Sequence, residues 1–287
     1  MLFVPGDSEK KFVRAASGNA DALILDLEDA VAPARKAEAR ALVADLVARE
    51  RSGEWRCFVR VNALDTGHTL DDLAAVVRPG LDGVLVPKAN GAHDIARIGH
   101  YLDALETRAG MTPGTVRIAV VSTETPAAMF ALGSYAPAHP RLVALTWGAE
   151  DLAAAIGATA NKDKDGGWTL PYQVARAQCL FAAAAAGVTP LDTLYADYRD
   201  SEGLAADCLR ARRDGFTGRI AIHPDQVDTI NRCFSPSAED LDHARRVVAA
   251  FSAAPDAGTI GIDGKMYDIP HLKNAQRTLA AADEAVS

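Results

Sequence analysis

The chain carries eight short apolar runs, and every one of them ends in polar or charged side chains. They are LFVP, closing at Asp7; ALILDLED, closing at Glu28 and Asp29; CFVRVN, with Arg60 and Asn62; and GVLVPK, closing at Lys88. RIAVVSTET follows with Glu124, then LVALTWGAED with Glu150 and Asp151, TLYADYRD with Asp197 and Asp200, and RIAIHPD with His223. Helical patterns separate most of them. Ala, Arg, Lys, Glu and Leu dominate residues 34–51, where Leu42, Leu46 and Val47 make an apolar stripe. Residues 70–77 and 94–107 read the same way, 171–186 and 201–214 stop at Gly187 and Gly215, and 224–232 and 237–251 complete the series. Thr125 before Pro126 reads as a helix N-cap with proline in the first turn. Strand and helix alternating eight times predict an α/β fold, the (β/α)8 TIM barrel, whose strand C-termini share one face. Active sites of that fold sit on this face, so the polar run-ends are the candidates for chemistry.

A barrel takes roughly 250 residues, which leaves a tail in a chain of 287. The pattern assigns residues 1–253 to a catalytic barrel and 254–287 to a lid-like C-terminal extension. That extension contains the glycine-rich stretch GTIGIDGKMYDIP and a final helical pattern over 271–285, and it must pack on this barrel or on a neighbour. A second segment outside the rhythm, ANKDKDGGWTL at 160–170, follows the sixth run and is expected to lie over the site. The net charge of −8 argues against nucleic acid as a partner, which needs a basic face. Cys57, Cys179, Cys208 and Cys233 form no CxxC pair and show no zinc spacing, which predicts buried thiols in a reducing cytosol. The start, MLFVPGD, has no signal-peptide pattern, and the alanine-rich run near 179–188 is too short to span a membrane. The expected location is the cytoplasm, away from any membrane.

Glu124 and Asp151 end consecutive runs, the fifth and sixth. Adjacent strands lie about 5 Å apart, so two carboxylates there share a small space and repel unless one is protonated or a cation lies between them. Mg²⁺ suits that place, since it takes one or two carboxylates and fills its other positions with water and substrate oxygens. The bland alternative is that each merely caps a helix start. Arg60, on a strand expected to be buried, needs an anionic partner. Its planar fork suits a substrate carboxylate or enolate oxygen, or Glu28 or Asp29 of the neighbouring run. Glu28, Asp29 and Lys88 are expected to support the site from outside, orienting Arg60 or holding water at the ion. His223, before a proline, reads as structural, Asp200 as a helix N-cap, and Lys10, Lys11 and Arg14 as a solvated helix face. No nucleotide-binding glycine loop is present.

LFVPGD, ALILDLEDAVAPARKAEAR, FVRVNA, GVLVPK, the Glu-Thr pair at 124–125, WGAEDL, GFTGRIAIHPDQV and DGKMYDIP stand in this order along nearly the whole chain. In this the sequence resembles the citrate lyase β-subunit-like branch of the HpcH/HpaI aldolase superfamily. The resemblance implies a Mg²⁺-dependent lyase that makes or breaks a carbon–carbon bond in a CoA thioester of the malyl, citramalyl or citryl type, with a 2-keto acid as the other partner. It puts the metal on Glu124 and Asp151, with Glu124 also touching substrate, and puts the substrate arginine on Arg60. It puts a catalytic acid/base on Asp268, reaching a neighbouring subunit's site in a homotrimer or hexamer. The same resemblance leaves open a citrate lyase subunit acting on a carrier-bound thioester, a thioesterase, a free keto-acid aldolase, and a non-catalytic binder of thioester or keto acid.

Overall fold

The computed structural model describes residues 1–51 and 53–284. Its elements run β1 (Leu2–Pro5), α1 (Glu9–Ala16), β2 (Ala22–Asp26), α2 (Lys36–Ala48), β3 (Arg56–Arg60), α3 (Thr69–Val76), β4 (Gly83–Val86) and α4 (Ala92–Arg108). They continue with β5 (Arg117–Val121), α5 (Pro126–Met129), β6 (Leu142–Thr146), α6 (Glu150–Ile156), α7 (Leu170–Ala186), β7 (Thr189–Asp192), α8 (Ser201–Asp214) and β8 (Gly218–Arg219). Then come α9 (Val227–Phe234), α10 (Ala238–Ala253), β9 (Thr259–Ile262), β10 (Lys265–Asp268) and α11 (Ile269–Glu284). By its contacts the chain divides into two compact units, Met1–Ile230 and Asn231–Ser287.

In the first unit β1 to β8 pair in sequence order, all in parallel. A parallel bridge between Leu2 and Ala221 returns the last strand to the first, with Phe3 N donating to Ala221 O at 2.9 Å. This is the expected barrel. Its strands are almost wholly buried, as β2 and β4 show, because helices cover the outside while side chains fill the inside. Alternation sorts the two faces. Ala22 and Ile24 of β2, Phe58 of β3, Leu85 of β4, Ala119 and Val121 of β5, Ala144 of β6, Leu191 of β7 and Ile220 form one interior cluster. Burying each large aliphatic among them contributes about 1.5–3 kcal/mol. Gly83 is required here, because a Cβ on it would run into the Phe58 ring.

Two strand readings need correction. The seventh strand is Thr189–Asp192, not TLYADYRD. Pro190 interrupts its apolar signal in the sequence, yet it sits near the strand start, where a missing N–H is tolerated. TLYADYRD instead leads from β7 into α8, and Asp200 caps that helix, accepting from Gly203 N at 2.9 Å. The eighth strand is Gly218–Arg219, so of the expected run RIAIHPD only Arg219 is in it. The other caps fall where the sequence puts them. Thr125 Oγ1 accepts from Ala128 N at 3.0 Å, and α7 and α8 end in left-handed glycines, Gly187 and Gly215. All four cysteines are buried, and none is in a disulfide.

The second unit holds α10, the β9–β10 hairpin and α11. It begins before the boundary that the pattern sets at 253, because the apolar stripe of α10 (Ala244, Val247 and Phe251) clusters with Ala275 of α11. The hairpin turns at Asp263 and Gly264, with φ of 52° and 75°, the positive values that a tight two-residue turn demands. Of the helix expected over 271–285, Ala285 lies outside the described residues. No helix among the described residues is long and apolar enough to cross a membrane.

Candidate active site

Alternation that buries Ala22 and Ile24 in the barrel also turns Asp26 inward, at the C-terminal end of β2. Asp26 lies in register with Arg60 on β3. Its carboxylate takes Arg60 Nε and Nη2, each at 2.7 Å, a two-bond fork of the kind guanidinium geometry favours. It also accepts the N–H groups of Glu28 at 2.9 Å and Ala30 at 3.1 Å, which fixes the chain as it leaves the strand. Arg60 Nη1 reaches Glu28 Oε2 at 3.0 Å, and the guanidinium lies 4.6 Å over the Phe3 ring. Burial works against its charge, but Asp26 and then Glu28 outweigh it and hold the group above the ordinary arginine range.

Lys88 follows β4 with φ of 52°, a left-handed backbone uncommon for a residue with a side chain. That turn directs its N–H to Glu124 Oε2 at 2.6 Å. Its ammonium meets Glu28 at 2.7 Å, Asp151 at 3.1 Å and Asp29 at 3.5 Å. Burial opposes the ammonium, but Glu28, Glu124 and Asp151 prevail and raise its pKa. Burial likewise raises the carboxyl of Glu28, with Arg60 and Lys88 pulling the other way. Glu124 is buried, and burial pushes its carboxyl up to about 8; the Lys88 N–H resists, while the charges of Asp151 and Glu28 add to the rise. Gly148 allows this packing, since a Cβ there would lie 2.7 Å from Glu124 Cγ.

A cavity of about 240 Å³ opens at this end of the barrel, lined by Arg60, Glu124, Asp151, Asp29 and Glu150 among its charged groups. Its apolar side is formed by Phe3, Val121, Trp147, Trp168, Leu194 and Ile220. Thr146, the last residue of β6, also lines it, with a buried Oγ1 that has no hydrogen-bond partner in the protein. Trp168 comes from the segment at 160–170 expected over the site, and its ring meets Trp147 edge-on at 5.1 Å. Trp147 is anchored below by Nε1 donating to Asp192 at 2.6 Å, and Arg219 holds Asp192 at 2.8 Å.

The structure thus brings together Arg60, Glu28, Lys88, Glu124 and Asp151, with Asp29 at the rim, 59% exposed in its side chain. Asp268 belongs to the second unit, at the junction of β10 and α11. Arg60 pairs with Asp26 and Glu28 rather than with Asp29, because Asp29 has already turned outward past the strand end. His223 caps the turn before α9 and stacks on Tyr198 at 4.4 Å, as its structural reading expects. Asp7 pairs with Arg35 at 2.6 Å. Asn62 joins a brace of Lys36 and Asp72, each at 2.7 Å. Asp26, Thr146, Trp168 and Asp192 escape the sequence reading. For Asp26 the signal was there, in the period-2 pattern of ALILD.

Glu124 and Asp151 supply hard oxygen donors with no thiol or imidazole beside them, the chemistry of a Mg²⁺ site. Among the described residues no cluster of three or more His, Cys, Asp or Glu ligands forms, so such an ion would complete its shell with water and ligand oxygens. Burial, and then the like charges of Asp151 and Glu28, disfavour the Glu124 carboxylate, and a divalent cation would offset both. The residues present therefore fit the ion.

A barrel with a paired-carboxylate centre on its C-terminal face matches a known family along most of its length. The model of the HpcH/HpaI aldolase/citrate lyase family matches residues 1–224, and the chain belongs to that family. Relatives include a (3S)-malyl-CoA thioesterase of Cereibacter sphaeroides, 36% identical over 99% of this chain and 94% of that one. The citrate lyase subunit beta of Escherichia coli is 34% identical over 99% of this chain and 92% of its own. Among solved structures, CitE of Mycobacterium tuberculosis in complex with magnesium, acetoacetate and coenzyme A superposes with a TM-score of 0.79. It is 34% identical, and the match covers 98% of this chain and 97% of that one.

Proposed function

We propose that this protein is a Mg²⁺-dependent carbon–carbon lyase that cleaves a 3-hydroxyacyl-CoA thioester of the malyl-, citramalyl- or citryl-CoA type. The products are an acyl-CoA and a 2-keto acid, and the reverse condensation uses the same groups. The observation that carries this is the Glu124–Asp151 pair beside Arg60 in one cavity at the strand ends. Relatives acting on malyl-CoA and citrate, and a solved relative holding magnesium, acetoacetate and coenzyme A, support the choice of substrate and ion.

When bound, magnesium supplies Lewis-acid polarisation of the keto-acid oxygen. Glu124 and Asp151 would hold it. Arg60 spends two N–H groups on Asp26 and keeps Nη1 in an ion pair with Glu28. The guanidinium has five, so three remain for negative charge developing on substrate oxygen. Because its own geometry is already fixed, it stabilises that charge without reorganising. In cleavage, the bond between the acyl α-carbon and the hydroxyl-bearing carbon breaks. The hydroxyl carbon becomes the keto-acid carbonyl, and the electron pair passes to the thioester enolate. Asp268 takes the hydroxyl proton as the carbonyl forms and delivers it to the enolate carbon; in condensation it removes the α-carbon proton and returns it to the new hydroxyl oxygen. Glu28, Asp29 and Lys88 act on the site from outside, chiefly by orienting Arg60 and Glu124.

The extension is proposed to lie over the barrel mouth of a neighbouring subunit, in a cytoplasmic homotrimer or hexamer. Mixing inactive Arg60→Ala and Asp268→Ala protomers tests the shared site. Recovery of part of the activity is expected, because some sites then receive both intact residues. No recovery after confirmed subunit exchange would place Asp268 elsewhere. Assay against malyl-, citramalyl- and citryl-CoA with Mg²⁺ tests the reaction, and absence of any thioester cleavage would remove the reading. The relative named (3S)-malyl-CoA thioesterase favours a second outcome in the same cavity, hydrolysis to free CoA. Product analysis separates the two, acyl-CoA with keto acid against free CoA with an intact hydroxy acid.

A further inference from the structure

We propose that His271 is the positioning residue for Asp268, forming with it a carboxylate–imidazole pair that aims one carboxylate oxygen at the reacting carbon. This rests on the reading that Asp268 is the acid/base.

Asp268 is the last residue of β10 and stands immediately before α11. Its backbone is held by the hairpin, in register with Thr259. His271, in the first turn of the helix, places Nδ1 at 2.5 Å from Asp268 Oδ1 and 3.2 Å from Asp268 N. The His271 N–H faces the same carboxylate oxygen at 3.5 Å. The His271 N–H on Oδ1 makes one half of a capping box, in which Glu or Gln usually holds the third helical position. Nδ1 has a single hydrogen-bonding position, so donating to Oδ1 replaces the other half, acceptance from the Asp268 N–H. An imidazole in that place adds something an ordinary cap lacks. Protonated at Nδ1, it donates to Oδ1 and leaves Oδ2 as the oxygen that exchanges a proton with substrate. The hydrogen bond to His271 is also the main cause that holds the Asp268 carboxyl below its usual range, ready as a base for condensation.

The ring has its own support. Tyr267 meets His271 edge-on at 5.3 Å, and His243 of α10 lies 5.6 Å from Tyr267. A cavity of about 180 Å³ between α10 and α11 is lined by Asp240, His243, Tyr267 and His271. These groups and Asp268 are the titratable ones that face the imidazole.

The test uses the full chain with Mg²⁺. It compares wild type, His271→Leu, His271→Gln, Asp268→Asn and the double variant His271→Leu/Asp268→Asn. Two quantities are read, kcat and KM for thioester cleavage, and deuterium uptake from D₂O at the α-carbon of acetyl- and propionyl-CoA. His271→Leu should lower kcat and deuterium uptake together, by about tenfold or more out of the roughly 10²–10⁴-fold that general acid–base catalysis supplies, with KM unchanged. His271→Gln keeps an amide donor and the cap acceptor, and should recover most of that loss. In the Asp268→Asn background His271→Leu should cost nothing further, because the two act as one unit. Wild-type kcat in His271→Leu, or the same fold-loss in both backgrounds, would overturn the pairing. Wild-type deuterium uptake in Asp268→Asn would instead remove Asp268 itself from the chemistry, and the pairing with it. If His271→Leu does not fold, the pH profile of His271→Gln decides. A move of its acid limb to higher pH supports the pair, and an unmoved limb reduces His271 to a helix cap.

Discussion

Asp26→Ala removes the acceptor at the centre of the barrel's upper layer. The Asp26 side chain is 2% exposed, so water does not replace it. Two charge-assisted bonds from Arg60 at 2.7 Å are lost, along with the acceptor for the N–H groups of Glu28 and Ala30. Removing one partner of a buried ion pair costs about 3–5 kcal/mol. Glu28 still meets Arg60 at 3.0 Å, which places this case near 3 kcal/mol at the low end of that range. The abandoned buried N–H of Glu28 adds about 1 kcal/mol or more. A loss of about 4 kcal/mol lowers the melting temperature by roughly 8–16 °C for a unit of this size. Asp26→Asn keeps one oxygen for Arg60 Nε but turns an amide N–H₂ toward other donors, and should fall about midway. Thermal and urea unfolding of both variants, with equal m-values to certify comparable unfolding, measures this. A melting temperature for Asp26→Ala within about 2 °C of wild type would mean that the fork does not form, and the account of how Arg60 is aimed would go with it.

Glu124→Gln or Asp151→Asn should abolish Mg²⁺-dependent activity and weaken Mg²⁺ binding by calorimetry while leaving the unfolding midpoint near wild type; full activity with unchanged affinity would misplace the ion. Glu124 is pushed up to about 8 without an ion, so its carboxyl is mainly protonated below that pH and Mg²⁺ binding must release the proton. Apparent affinity should therefore rise roughly tenfold per pH unit up to about 8 and then level, and an affinity flat between about pH 6 and 8 would contradict the shift. The ion-free protein runs the other way: stability from the neutral carboxyl is complete below the unfolded value of 4.5 and is lost as pH rises through about 8. Gly148→Ala, with its Cβ 2.7 Å from Glu124 Cγ, should lower Mg²⁺ affinity more than stability, and unchanged affinity would show that Glu124 yields freely.

The barrel was legible because its signal is repeated. Eight apolar runs alternating with helical stretches allow few other folds, and one misplaced run, TLYADYRD in the place of the strand Thr189–Asp192 just before it, does not spoil the count. Glu124, Asp151, Lys88 and Arg60 were legible because each lies within or just past a run. Asp26 was not singled out, because the eye goes to the end of ALILDLED, while alternation from Ala22 and Ile24 is what turns a side chain into the barrel. Trp168 and Asp192 depend on how a loop folds and on which strands are neighbours, and nothing local in the sequence encodes either. The reach of Lys88 to both Glu28 and Asp151 is of the same kind, since it follows from one left-handed residue whose side chain gives no hint of that conformation. The stripe of α10 suits either a barrel helix or a partner for α11, and in the structure it clusters with Ala275 of α11.

The charges of the site are arranged for a ligand set that arrives in two parts. Asp26, Glu28, Asp29 and Asp151, with the Glu124 carboxyl beside them, pair among the described residues with Arg60 and Lys88. An anionic keto acid entering that field alone would meet net repulsion. A divalent cation held by Glu124 and Asp151 as proposed would offset most of the excess and turn the same place into an anion site, so ion binding should precede keto-acid binding. Lys88 is what keeps the ion-free state tolerable. Its left-handed backbone costs about 1–3 kcal/mol, but that conformation lets one residue hold Glu124 through its N–H and bridge Glu28 to Asp151 through its ammonium. Replacing it by glycine would remove the strain and also the charge, leaving Glu28 and Asp151 to repel across the cavity mouth. The strain persists because the carboxylates that define the site need a cation near them before the metal arrives.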